Sequence, residues 1–112
     1  MAHFEGIGNT VATFALSGAL SSGQVCKIAS SGTVSACSAD DSFHGVAVTI
    51  GDGICGVALS GLVTVAYSGT APTVGYATLL ADGDGGVAAD ADGDAHLVVS
   101  VDTSNGTAVL LL

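Results

Sequence analysis

Positive charge is almost missing from this chain: Lys27 is the single Lys or Arg, set against ten acidic residues. Proteins that bind nucleic acid draw much of their affinity from Lys and Arg neutralising phosphates, so DNA and RNA drop out as partners. The same shortage removes electrostatic attraction to anionic lipid. Tryptophan is missing too, and three Phe and two Tyr are the only aromatic rings, which leaves few platforms for stacking on sugars or bases. No apolar run reaches the roughly 18 residues of a membrane-spanning helix; the run Ala108 to Leu112 suffices only for a strand. Glu5 is the sole glutamate, which excludes a Glu pair for glycoside chemistry, and no Asp pair stands out. A G-x-S-x-G nucleophile elbow does not occur. No basic residue precedes Lys27, and Glu5, Gly6 and Gly8 interrupt the start. The beginning therefore does not read as a signal peptide, and folding in a cytoplasm is expected.

What is present is acidic and apolar at once. The formal charge is −9, yet 49% of residues are hydrophobic and only 10% are charged, against about 25% charged in an ordinary domain. A chain of 112 residues suits one domain of typical size. With so little charge it is expected to leave apolar patches exposed as a monomer, and such patches mark interfaces. Self-association is the expected consequence. The three cysteines, Cys26, Cys37 and Cys55, are odd in number and lack C-x-x-C spacing, which fits reduced, buried thiols.

Period-two alternation dominates over helical periodicity. Val46, Val48 and Ile50 alternate with Ala47 and Thr49; Val63, Val65 and Tyr67 with Leu62, Thr64 and Ala66; Leu97, Val99 and Val101 with His96, Val98 and Ser100. Turn signals separate these runs: Ser31-Gly32, Gly51-Asp52-Gly53, the Asp-Gly tract 82–86, Asp92-Gly93-Asp94 and Asn105-Gly106. Asn-Gly between apolar runs is a strong hairpin signal. Strands are predicted near 10–15, 24–29, 33–37, 44–50, 54–59, 62–67, 75–81, 86–89, 96–101 and 107–112. The fold class that follows is all-β, a small β-barrel or β-tulip-like domain. Residues 1–22 read as an N-terminal arm and first strand, and 23–112 as the barrel. The first nine residues read as a flexible arm, with Phe4 and Ile7 expected as apolar partner contacts. Gly23–Ala36 echoes Gly75–Ala89, which suggests a two-fold repeat over 23–59 and 75–112. A two-residue Ser31-Gly32 turn would set Cys26 directly opposite Cys37 as a pair of free thiols.

Motifs with chemistry are thin. Gly51-Asp52-Gly53-Ile54-Cys55-Gly56 fits G-x-G-x-x-G, but a strand-like Val57-Ala58-Leu59 follows where the dinucleotide site needs a helix. Asp82, Asp84, Asp90, Asp92 and Asp94 invite a calcium reading, yet no EF-hand register places a Glu at position twelve. His3, His44 and His96 with the cysteines match no zinc spacing. No catalytic residue, metal or cofactor is assigned, and no enzyme activity is expected.

The order of features resembles the head-decoration proteins of tailed bacteriophages. The likeness runs over residues 20–112 and rests on Ser21-Ser22-Gly23-Gln24-Val25, Phe43-His44-Gly45-Val46-Ala47-Val48, Gly56-Val57-Ala58-Leu59, Gly61-Leu62-Val63, Gly75-Tyr76-Ala77 and a terminal Val-rich hairpin. The resemblance implies a β-barrel virion protein, a homotrimer, bound to the outer surface of the major capsid protein shell and cementing it. The chain departs from a charge-paired arrangement, since with Lys27 alone any basic groups must come from the shell. A calcium-dependent adhesion or surface-layer module is one alternative, and a carbohydrate-binding β-domain a second.

Overall fold

Gly51-Asp52-Gly53 shows how turn chemistry sets the strands. Asp52 and Gly53 both have positive φ, 47° and 77°, and Gly51 pairs with Ile54 on either side. That is a two-residue turn of the kind whose twist matches flanking antiparallel strands. The computed structural model describes residues 10–112, and similar turns divide them into ten strands: β1 (Thr10–Leu16), β2 (Val25–Ser30), β3 (Thr33–Ala36), β4 (Gly45–Gly51), β5 (Ile54–Ser60), β6 (Leu62–Ser68), β7 (Gly75–Ala81), β8 (Val87–Ala89), β9 (Asp94–Asp102) and β10 (Thr107–Leu111). No helix occurs among the described residues.

The expected small-barrel architecture is present, and it occurs twice. Strands close in the order β1-β3-β2-β4-β5 to form barrel 1, and β6-β8-β7-β9-β10 to form barrel 2. The first strand of each set runs parallel to the third, while the other pairings are antiparallel. β1 is thus a full member of barrel 1, with six register partners in β5. Even the irregularities repeat. The β4–β5 ladder slips between Ala47 and Thr49, and the β9–β10 ladder skips Val99 between Val98 and Ser100. A bulge at the same place in each barrel bends the sheet where five strands must curl tightly to close.

Alternation then assigns the faces. In barrel 1, Cys26, Val34, Ala47, Cys55 and Val57 form one buried cluster with Leu20, against which Phe14 and Leu16 pack. Their strand neighbours Val25, Val46 and Ala58 point the other way. These three belong to a second cluster with Cys37 and Phe43, and the rest of its buried members, such as Val65, Leu79, Val87, Val98 and Leu110, come from barrel 2. The part of the outer face of barrel 1 around Val25, Val46 and Ala58 is therefore sealed by barrel 2, and the two share one apolar junction. Backbone hydrogen bonds stitch it: Val25 N–H donates to Gly85 O, Asp40 N–H to Ala81 O and Ala81 N–H to Asp41 O, each at 2.9 Å. Phe43 stacks on His96 with ring centroids 4.6 Å apart. Within barrel 2, close approach of the segment before β9 to β7 needs Gly93, where a Cβ would meet the Leu79 carbonyl oxygen at 2.5 Å.

The register of the β2–β3 hairpin differs from the sequence expectation. Ser30 does pair with Thr33 around Ser31-Gly32, but the ladder slips between Ile28 and Ser30. That bulge shifts every later pair by one, so Cys26 faces Ala36 and not Cys37. A one-residue slip turns a side chain to the opposite face: Cys26 lies in the barrel 1 interior and Cys37 in the junction cluster.

Candidate functional site

Three acids of the loops, Asp82, Asp90 and Asp102, spend their carboxylates on the backbone of their own turns. Asp82 accepts hydrogen bonds from Asp84 N–H (2.7 Å), Gly86 N–H (3.0 Å) and Ser68 Oγ (2.6 Å). Burial pushes the Asp82 pKa up, and these bonds together outweigh it, leaving the carboxyl below its ordinary range. Asp90 accepts from Asp92 N–H at 2.9 Å. Asp102 holds the β9–β10 turn through Asn105 and Ser104, and the Asn105 side chain leads in lowering its pKa. These are turns in which a short acid completes the loop. Among the described residues no three His, Cys, Asp or Glu side chains converge on one point.

The nucleophiles and the cation are equally committed. All three cysteines are buried and unpaired by disulfide. Burial pushes the Cys26 thiol up to about 12 and the Cys37 thiol up to about 11, so neither supplies thiolate at neutral pH. Lys27 forms an ion pair with Asp41 at 2.6 Å. The Lys27 hydrogen bond is the main reason the Asp41 carboxyl is depressed, and Ser38 N–H adds to it. His44 Nδ1 accepts from Ile28 N–H at 2.9 Å. His96 lies flat on Phe43, its Nε2 buried without a hydrogen-bond partner. Burial lowers its pKa, with Asp94 opposing. The G-x-G-x-x-G stretch is the β4–β5 hairpin followed by β5, a strand where a nucleotide site needs a helix.

Exposed apolar side chains are what the molecule offers instead. On barrel 1, Val11 of β1 is 51% exposed and Ile54 of β5 53%. Beside Ile54 runs a cleft of about 310 Å³ lined by Thr13, Thr49, Ile50 and Gly56, with Asp52 its only charged lining residue among the described residues. Gly56 keeps the floor low, since a Cβ there would collide with Thr49 Oγ1 at 2.5 Å. Val48 and Ile50 add apolar surface on β4. On barrel 2, Val74, Tyr76 and Leu111 stand out of the surface. A broader cleft of about 530 Å³ lies beside Tyr76, between Pro72 on the β6–β7 loop and Asp90.

Phe4 and Ile7, the contact residues expected from the sequence, lie outside the described residues. The exposed positions Val11, Ile54, Tyr76 and Leu111 were not singled out by sequence reasoning. Alternation gives each strand two apolar-looking faces, and nothing in a single strand says which is covered. A scan against models of known protein families finds no match, and a search of curated protein sequences finds none.

Proposed function

We propose that the chain is a structural docking protein that binds the outer surface of an assembled protein shell, the capsid of a tailed phage being the case to which residues 20–112 point by their resemblance. The observation that supports this reading is the exposed apolar surface of barrel 1, where Val11 is exposed and Ile50 and Ile54 line a nearly uncharged cleft on a chain of charge −9. Acidic groups elsewhere discourage adhesion to nucleic acid and anionic surfaces. The apolar cleft provides a surface that gains by leaving water. The barrels suit a cement: closed sheets present no free edge strand to recruit unwanted partners. Multivalent attachment would turn modest single contacts into firm binding.

The test is co-sedimentation with particles of the source virus stripped of accessory proteins. The intact chain binds with saturable stoichiometry, and Val11→Asp with Ile54→Asp weakens binding about tenfold or more. Removing residues 1–9, with Phe4 and Ile7, weakens it as well. Absence of binding at micromolar concentration would overturn the reading.

A further inference from the structure

The register of the two barrels places equivalent residues in matching rows. In barrel 1, Val25 sits beside Val46, Val46 beside Ala58, and Ala58 beside Val11. In barrel 2 the same strands, in the same order, set Tyr76 beside Leu97, Leu97 beside Leu111, and Leu111 beside Leu62. Both rows face outward, because their strand neighbours Cys26, Ala47 and Val57, or Ala77, Val98 and Leu110, belong to the packed core. The fate of the rows differs. Val25, Val46 and Ala58 are 0%, 4% and 0% exposed, covered by barrel 2, while Val11 at the end of the row is 51% exposed. None of the four residues in the barrel 2 row is buried; Tyr76 is 80% exposed and Leu111 41%.

The other half of the junction also has a counterpart in barrel 1. Barrel 1 contacts barrel 2 at Ala81, whose N–H and C=O both bond to the Asp40–Asp41 segment. Ala81 lies opposite Val87, as Ile28 lies opposite Val34 in barrel 1. Ala81 is 2% exposed, and Ile28 is 45% exposed. Each barrel thus carries one covering row and one receiving end. The chain joins one of each internally and leaves outside the apolar Tyr76 row and the Ile28 end, where Ile28 is the exposed apolar side chain and its N–H is already taken by His44 Nδ1.

We propose that these two surfaces join different copies of this chain, the Tyr76–Leu97–Leu111–Leu62 row of one copy seating on the Ile28 end of barrel 1 in the next. The occupant follows from continuity with the junction inside the chain: the same row, in the same fold, is already covered by a barrel of the same topology. A contact between two different surfaces is heterologous, so it closes into a ring or extends as a filament. A sugar ligand would explain Tyr76 but not the aliphatic Leu97, Leu111 and Leu62 beside it. Copies of charge −9 repel one another, so added salt strengthens this association by screening. Docking on a basic partner would show the opposite dependence.

Contact between copies and shell binding through Val11 and Ile54 are measured separately. Analytical ultracentrifugation of the full chain is run with two variants, Tyr76→Asp/Leu111→Asp and Ile28→Asp, each checked for an unchanged circular dichroism spectrum. The wild type is expected to associate reversibly in the micromolar range, more strongly at high salt. Each variant alone sediments as a monomer. Mixed in equal amounts, the variants form a dimer and nothing larger, because one sound row meets one sound receiving end. If Ile28→Asp fails to fold, Ile28→Ser takes its place, and the row variant is read against the wild type in any case. A wild type that stays monomeric at about 100 micromolar, a row variant that associates as the wild type does, or a mixture that stays monomeric overturns the proposal. So does a row variant that remains associated while losing affinity for a glycan or a shell.

Discussion

Barrel 1 and barrel 2 share topology, strand order and bulge position, and they differ in how they are filled. Inside, volume is traded between matching positions. Ladder register sets Phe14 against Cys55 as it sets Val65 against Ala108, and Ala47 against Val57 as it sets Val98 against Leu110. The smaller Val65 is accompanied by the larger Val98 and Leu110, as a close-packed interior demands. Outside, no such trade occurs. The barrel 1 row is sealed from Val25 to Ala58, and the row through Tyr76 is not. The interiors are thus two solutions to one packing problem, whereas the outer rows carry different duties. One row holds the molecule together, and its counterpart is free to hold something else.

The largest effects belong to the interiors. Leu110 is fully buried in the cluster that spans the junction, so Leu110→Ala is expected to cost about 2–5 kcal/mol. Because that cluster includes residues of both barrels, calorimetry should show one cooperative unfolding transition. Two separate transitions would break the description of a shared core.

Matched substitutions in the two rows sharpen the contrast. Val25→Asp buries a charge in the junction and is expected to cost about 3 kcal/mol or more. Tyr76→Asp, at the equivalent place, should stay within about 0.5 kcal/mol in dilute solution. Urea denaturation of both, at a concentration where the wild type is monomeric, decides the matter. Equal losses would mean that the rows are not the distinct surfaces described.

A smaller effect is expected in the β7–β8 loop of barrel 2. Asp82→Ala removes the acceptor for three hydrogen bonds and should cost about 1–2 kcal/mol. Asp84→Ala should cost little, since Asp84 reaches Asp82 through its backbone N–H. The depressed carboxyls of Asp41, Asp82 and Asp102 contribute stability that is present above their unfolded pKa of about 3.9 and is lost as pH falls through the folded values. The smallest effect is that of His96. Its lowered pKa means the unfolded chain takes up a proton first, so stability is full above about pH 6.5 and declines as pH falls below it. His96→Phe should flatten the melting temperature over that window while keeping the ring against Phe43.

The strands were legible because alternation and turn chemistry act locally. Val46-Ala47-Val48-Thr49-Ile50 and the Gly51-Asp52-Gly53 turn lie where the sequence places them, as β4 and its hairpin. The echo of Gly23–Ala36 in Gly75–Ala89 falls on β2–β3 and β7–β8. What could not be read depends on closure. Thr10–Leu16 looks like a lone strand in sequence, yet it completes barrel 1 by pairing with both β3 and β5. The bulge at Ala29, which separates Cys26 from Cys37, has no residue signature in so uniform a stretch. The candidate site was hidden for the same reason. Val25 and Tyr76 both stand at the start of a strand, and only the covering of one row by another barrel tells them apart.

Tyrosine footprinting tests the central claim most directly, because the two tyrosines report on the two surfaces. Tyr67 packs against the shared core, while Tyr76 stands on the uncovered row. Hydroxyl-radical labelling of the wild type over a rising concentration series should show Tyr76 becoming protected while Tyr67 stays constant. Labelling of Tyr76 that is equally strong at every concentration, in a sample shown to associate, would contradict the assignment of this row as an interface.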